Sequence, residues 1–227
     1  ANFINNGVLE STGSGGLTLD GGIYDNNTVI ESTGSGDIRL ASSGVTIVGG
    51  DLKTSAGTGV IRSVVTGAQL DGVRITTGSQ VRLNNNEDLR ILNGLTNNGT
   101  ISMNSGNNLT DLQFIGSQTL TGTGEVVMGQ NLANRVIVNV DSTQLTLDSD
   151  QTIRGAGQVL ANSGGFINNG TIRQEGIRAL VLDPGTADVG GGANFINNGV
   201  LESTGSGGLT LDGGIYDNNT VIESTGS

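Results

Sequence analysis

The chain has 227 residues, with 40 Gly, one Pro, no Cys, no His, 14% charged residues and a formal net charge of −11. Without His there is no imidazole base, no Ser-His-Asp triad and no His-held metal. The acidic balance works against nucleic-acid binding, which needs a basic stripe, and against electrostatic attachment to anionic lipid. No run approaches the ~18 apolar residues that a membrane-spanning helix requires.

Residues 1–35 read ANFINNGVLESTGSGGLTLDGGIYDNNTVIESTGS, and residues 193–227 repeat them without a substitution, 192 positions later. Such identity implies recent duplication, homogenisation of a tandem array, or construction. The chain opens on Ala1 rather than Met, and Ser227 falls inside a motif that the first copy continues as Gly36-Asp37. The organisation expected is therefore one full long repeat over 1–192 and the start of the next identical one over 193–227, cut from a longer array.

Within that long period runs a shorter, degenerate one, a turn followed by a short apolar strand. In chain order it appears as Phe3-Ile4-Asn5-Asn6-Gly7-Val8-Leu9, then as Tyr24-Asp25-Asn26-Asn27-Thr28-Val29-Ile30. Weaker versions follow at Ile47–Leu52 and Leu70–Ile75. It returns as Leu95-Thr96-Asn97-Asn98-Gly99-Thr100-Ile101, weakly at Leu120–Val126, and then as Phe166-Ile167-Asn168-Asn169-Gly170-Thr171-Ile172 and Phe195-Ile196-Asn197-Asn198-Gly199-Val200-Leu201. The anchors Leu9, Ile30, Leu52, Ile75, Ile101, Val126, Ile172 and Leu201 follow one another at steps of 21, 22, 23, 26, 25, 46 and 29 in the numbering. Reading the step of 46 as two coils, with a degenerate one near Leu147, gives eight coils in the 192-residue repeat, about 24 each. Gly157-Gln158-Val159 is a further strand of the Ile172 coil.

Leu17-Thr18-Leu19, Val45-Thr46-Ile47, Val81-Arg82-Leu83, Leu145-Thr146-Leu147 and Leu180-Val181-Leu182 alternate apolar and polar residues between Gly, Asn or Asp, as short strands do. The fold class predicted is all-β, a right-handed parallel β-helix (β-solenoid). Its core runs the whole length, so disulfides are unnecessary. Phe3, Phe166 and Phe195 share one motif position and are expected to fill one core corner on different coils. The turn residues Asn5, Asn6, Gly7, Asn26, Asn27, Asn97, Asn98, Gly99, Asn168, Asn169, Gly170, Asn197, Asn198 and Gly199 form the predicted structural ladder. Gly and Asn accept the positive φ of a sharp bend, and stacked amides can bond along the axis. The sequons opened by Asn26, Asn98, Asn108, Asn169 and Asn218 are read as the same turn chemistry.

Several of these segments resemble repeats of large secreted bacterial proteins, the filamentous-haemagglutinin-like exoproteins and autotransporter passengers. They are 95–101, 120–126, Thr152-Ile153-Arg154-Gly155-Ala156-Gly157, 166–172 and Leu209-Thr210-Leu211. The long identical repeat is also similar to giant repetitive adhesins or a surface fibre. The resemblance implies a right-handed parallel β-helix, a location at the cell surface or outside it, and a role in adhesion, biofilm or sheath. The expected function is a structural protein of an extracellular bacterial fibre, sheath or adhesin stalk, whose partner is itself, by head-to-tail continuation and lateral bundling. A glycan-binding adhesin is the alternative, with Tyr24 and Tyr216 as its aromatic contacts. A polysaccharide-acting enzyme is the more distant one.

For chemistry, the carboxylate pairs Asp148 with Asp150, Asp183 with Asp188, and Glu87 with Asp88 are the acid/base candidates. Each lies in a turn-like setting where carboxylates are ordinary, so no catalytic residue is assigned. No cofactor is expected, calcium between coils at Asp148-Ser149-Asp150 or near Asp20-Gly21-Gly22 being the one metal considered. Residues 1–37 carry Glu10, Asp20, Asp25, Glu31 and Asp37 without a base, while 53–90 carry Lys53, Arg62, Arg74, Arg82 and Arg90. In a solenoid these become acidic and basic bands along the axis, able to attract staggered neighbours or merely to solvate the surface.

Overall fold

The computed structural model describes residues 2–55, 57 and 59–226. Ala1 and Ser227, the outer ends of the repeated segment, lie outside the described residues. The described residues form 26 strands and no helix, and every strand pairing is parallel. The chain is a β-solenoid of about ten turns, successive turns roughly 23 residues apart.

Each turn lays one strand on each of three faces. Asn2–Asn5 lies on the first face, Val8–Ser11 on the second and Leu17–Leu19 on the third. Gly22–Asn26, Val29–Ser32 and Ile38–Leu40 follow in the same order, each hydrogen-bonded to its counterpart one turn earlier. Later strands bend across a corner and serve two faces. Ala68–Ile75 pairs through Gln69 with Thr46 on the first face and through Ile75 with Leu52 on the second. Glu125–Val138 pairs through Val126 with Ile101 on the third face and through Val136 with Leu112 on the first.

Alternation then sorts the side chains. Strands such as Ile38–Leu40 and Gln144–Leu147 bury every second residue, because successive Cβ atoms point to opposite sides. Parallel in-register pairing sets many inward residues on others of the same kind. On the third face Val81, Ile101, Val126, Ile153, Ile172 and Leu201 form one continuous column. Fully burying a side chain of this size stabilises the fold by about 1.5–3 kcal/mol, so each turn is held by the turns on either side of it.

The column explains the irregular anchor spacings. Leu9, Ile30, Leu52 and Ile75 are partners on the second face. Ile75 then pairs with Asn97, and Ile101 lies on the third face opposite Val81. The step of 26 is therefore one turn plus one face. The rung inside the step of 46 is Ile153, paired with Val126 and with Ile172; Leu147 belongs to the second face, opposite Leu120. Gly157-Gln158-Val159 pairs with Leu180–Leu182 on the first face, as a strand of the same coil as Ile172. Between Phe3 and Phe195 the chain makes eight full turns and passes one further face, so 192 residues occupy eight and one-third turns of roughly 23 residues.

The two identical segments consequently sit on different faces. Phe3 lies on the first face, opposite Tyr24. Phe195 lies on the second, stacked on Phe166 with ring centroids 5.2 Å apart and planes 9° apart, and followed by Tyr216 at 5.4 Å. Phe166 and Phe195 share a column as expected, whereas Phe3 occupies another face. Coverage differs too: Phe3 is 46% exposed and Phe195 0%, while Ile30 is 0% exposed and its copy Ile222 44%.

The motif glycines have a different cause from the one the sequence suggests. Gly7, Gly99, Gly170 and Gly199 are not among the positive-φ glycines. A Cβ on Gly99 would stand 2.4 Å from the Ser79 carbonyl oxygen, on Gly170 2.3 Å from that of Gln151, and on Gly199 2.1 Å from that of Gly170. Glycine is required because the backbone of the neighbouring turn passes there. Gly7, in the first turn, meets nothing within 4 Å. Gly199→Ala is therefore expected to cost about 1–3 kcal/mol, and Gly44→Ala, whose Cβ would meet nothing nearer than the Ser42 hydroxyl at 3.6 Å, less than about 0.5 kcal/mol. Denaturant midpoints of the two variants check this, and equal effects would refute the carbonyl-contact explanation.

Candidate functional site

The asparagine ladder is the most regular polar feature. Its inner row is buried except at Asn218: Asn5 Nδ2 donates to Asn26 Oδ1 at 2.8 Å, Asn168 Nδ2 to Asn197 Oδ1 at 2.7 Å, and Asn197 Nδ2 to Asn218 Oδ1 at 2.7 Å. The outer row is exposed: Asn27 donates to Asn6 at 2.8 Å, Asn198 to Asn169 at 3.1 Å and Asn219 to Asn198 at 3.0 Å. Asn97 uses its amide differently, donating to the Glu125 carbonyl at 3.2 Å, while Gln151 donates to the Asn97 carbonyl at 2.6 Å. Asn98 Oδ1 accepts from the Thr123 amide at 3.1 Å. These asparagines are not at positive φ; that conformation falls to Asn86, Asn93, Asn107 and Asn162. Their amides satisfy buried backbone groups at the corner, which would otherwise cost about 1–3 kcal/mol each. The ladder also changes corner. Asn5 and Asn26 sit between the first and second faces, whereas Asn97, Asn168, Asn197 and Asn218 sit between the second and third.

The charged residues are likewise committed between turns. Lys53 pairs with Glu31 at 2.7 Å, Arg62 with Glu87 at 3.1 Å, Arg74 with Asp51 at 2.6 Å and Arg135 with Asp111 at 2.5 Å. Arg154 spans three turns, reaching Glu125 at 2.8 Å and Glu175 at 3.0 Å, and Arg173 pairs with Glu202. Much of the basic band is thus met by carboxylates of the same chain, one turn away.

Four of the carboxylates singled out in the sequence accept backbone amides, on their own loop or from the turn before. Glu87 accepts from the Asn84 amide at 2.6 Å besides pairing with Arg62. Asp88 accepts from the Gly67 amide, and its burial raises its pKa above the ordinary aspartate value. Asp148 accepts from the Ser149 amide at 2.9 Å, and Asp188 from Gly190 at 2.8 Å and Gly192 at 3.1 Å. Desolvation raises the pKa of Asp183. Among the described residues no group of three or more Asp or Glu is arranged to hold a metal. Both tyrosines are partly buried against the core. Tyr24 packs on Phe3 at 5.7 Å, and Tyr216 donates to the Leu182 and Asp212 carbonyls at 2.7 and 2.9 Å. Burial, followed by the charge of Asp183, raises the Tyr216 pKa.

A concave feature that the sequence reading missed lies on the edge between the third and first faces. There Glu125–Val138 turns the corner through a protruding loop at 129–133. One turn later the same corner is cut short as Gly155-Ala156-Gly157. A Cβ on Gly155 would stand 1.9 Å from the Met128 carbonyl oxygen, and one on Gly157 2.4 Å from that of Asn134. Gln130 therefore reaches past this corner to the loop of the following turn. It donates to the Glu175 carbonyl at 2.9 Å and accepts from the Ile177 and Arg178 amides at 2.9 and 3.2 Å. The saddle encloses an open cleft of about 240 Å³ lined by Asn107, Gln130, Asn131, Leu132 and Arg178. Leu109, Leu132 and Ile177 stand exposed on the same three loops, Ile177 by 74%. The sequence signal was the run of amides around 129–134 inside an otherwise apolar strand, which marks an excursion from the wall.

No family model matches the chain, and neither the curated proteins nor the solved structures contain a match to it. The fold defines the class, a parallel β-solenoid repeat protein.

The Arg154 bridge gives a signed pH test. The hydrogen bond from Arg154 lowers the Glu125 pKa below the ordinary glutamate value. Its contribution to stability is complete above the unfolded-state pKa and is lost as pH falls through the folded one. Arg154→Met is expected to lower the Tm by about 2–4 °C at pH 7 and by far less at a pH acidic enough to protonate Glu125 in the folded chain. An equal loss at both pH values, measured by thermal circular dichroism, would show that packing rather than charge holds the site.

Proposed function

We propose that the chain is a structural stretch of an extracellular bacterial fibre, sheath or adhesin stalk, of the filamentous-haemagglutinin-like or autotransporter-passenger kind, lengthened by repeating the 192-residue unit. The observation that carries this reading is the junction between the copies. The second copy of the repeated segment docks on strands 165–182 in register on all three faces, with Phe195 on Phe166, Leu201 on Ile172 and Leu209 on Leu180. A unit whose end receives its own beginning without a break can be added any number of times. Each added turn contributes backbone hydrogen bonds along the axis, so a rod of this construction resists stretching and proteolysis.

The absence of Cys suits a chain exported unfolded. The pairing of bases with carboxylates inside the chain leaves a net acidic surface, which keeps rods soluble and directs any lateral contact to residues other than the paired charges. Immunogold labelling of source cells with antibody to this chain is expected to decorate extracellular filaments. Label confined to the cytoplasm would sink the proposal.

A glycan-binding adhesin is the second reading, favoured by the cleft at Gln130 rather than by the tyrosines. Amides and a guanidinium beside an exposed leucine suit sugar hydroxyls and carboxylates. Arg178→Ala and Asn131→Ala are expected to weaken binding of an acidic oligosaccharide at least tenfold on a glycan array, while Tyr24→Ala leaves it unchanged. Binding lost only with Tyr24→Ala or Tyr216→Ala would move the site to the aromatic column.

A further inference from the structure

We infer that successive 192-residue units in an array are related by a rotation of one face, a third of a full circle, so that each surface feature of the unit points in three directions in turn. The inference rests on the array reading above, and its content lies in the mismatch between unit and turn. The identical segments of this chain sit eight and one-third turns apart. Three consecutive strands share the same displacement. The Phe-Ile-Asn strand moves from the first face to the second, the Val-Leu-Glu-Ser strand from the second to the third, and the Leu-Thr-Leu strand from the third to the first. The corner between the Phe-Ile-Asn and Val-Leu-Glu-Ser strands moves with them, taking its inner asparagine row along.

The displacement keeps the asparagine and ring contacts between the segment's own two turns. Asn5 donates to Asn26 at 2.8 Å and Asn197 to Asn218 at 2.7 Å; Asn27 donates to Asn6 at 2.8 Å and Asn219 to Asn198 at 3.0 Å. Phe3 lies 5.7 Å from Tyr24, and Phe195 5.4 Å from Tyr216. The register in which the segment's own two turns stack is therefore kept at either face.

Some surface features occur once in each unit, among them the ridge formed by Leu109, Leu132 and Ile177 around the Gln130 cleft. In one unit it lies on the edge between the third and first faces. In the next it falls between the first and second, and in the third between the second and third. At about 4.8 Å per turn the unit rises about 40 Å, so the ridge returns to its starting edge after three units and about 120 Å. A rod marked in this way offers equal contacts on three sides. Its fitting partners are further copies of the same rod arranged around it, rather than a single row along one side.

Cryo-electron microscopy of the native fibre tests this through its helical parameters. The expected result is a rise of about 40 Å per unit with a rotation of about 120° either way round, after the gradual twist of the solenoid, read from the ~4.8 Å turns of the same map, is subtracted. Fibres whose units superpose with no residual rotation would overturn this inference and leave the structural-fibre reading standing. Material with the ~4.8 Å turns but no periodicity at the length of the repeat unit would overturn both.

Discussion

Parallel, in-register hydrogen bonding between consecutive turns is the constraint on which every other feature depends. Strands about 4.8 Å apart place each residue directly on its counterpart one turn away, so whatever stands at a position must tolerate the neighbour above and below it. Leucine on isoleucine, phenylalanine on phenylalanine and asparagine on asparagine satisfy that condition unaided. Charges satisfy it by pairing across turns: Glu31 with Lys53, Asp51 with Arg74, Asp111 with Arg135. Where acids of the repeated segment do stack, an opposite charge stands next in the column. Glu10 lies beside Glu31, with Lys53 on the following turn, and Glu223 lies beside Glu202, with Arg173 on the preceding one.

This constraint made much of the fold legible. Alternation in Val81-Arg82-Leu83 or Leu145-Thr146-Leu147 marks a strand with one buried side, and recurrence of Asn-Asn-Gly marks a corner. The number of turns was less legible, because a one-dimensional period does not say which of three equivalent faces an anchor occupies. Ile75 and Ile101 look like consecutive rungs, yet one lies on the second face and the other on the third. Only the pairing of Ile75 with Asn97 reveals the step. Eight coils counted along the sequence and eight and one-third turns in the fold differ by that single face.

The corners show where local reasoning stops. An Asn-Asn-Gly sequence points to positive φ, because within an isolated peptide the backbone is the only thing that could demand glycine. The demand here comes from a turn that is distant in sequence: Gly199 yields to the Gly170 carbonyl, and Gly170 in its turn to the Gln151 carbonyl. The sequence intervals of those two contacts differ, because the loops between them differ in length, so no fixed spacing discloses the contact. The Gln130 saddle was hidden for a related reason. It exists because the next corner, Gly155-Ala156-Gly157, is short, and a side chain on one turn can then bond a loop two turns on.

Equivalence of the three faces also accounts for the way the long repeat is accommodated. A repeat in an asymmetric fold must span a whole number of structural periods, or the second copy would meet a different environment and its contacts would fail. Here a face is defined only by what lies before and after it along the axis. The segment carries its main neighbours with it, since in both copies Phe-Ile-Asn is followed by Tyr-Asp-Asn and Val-Leu-Glu-Ser by Val-Ile-Glu-Ser on the next turn. What precedes it needs only an apolar rung of similar size, which Phe166 and Ile172 supply. The sequence thus specifies stacking partners rather than directions in space, and a repeat length that is a multiple of a third of a turn is as well tolerated as one that is a multiple of a whole turn.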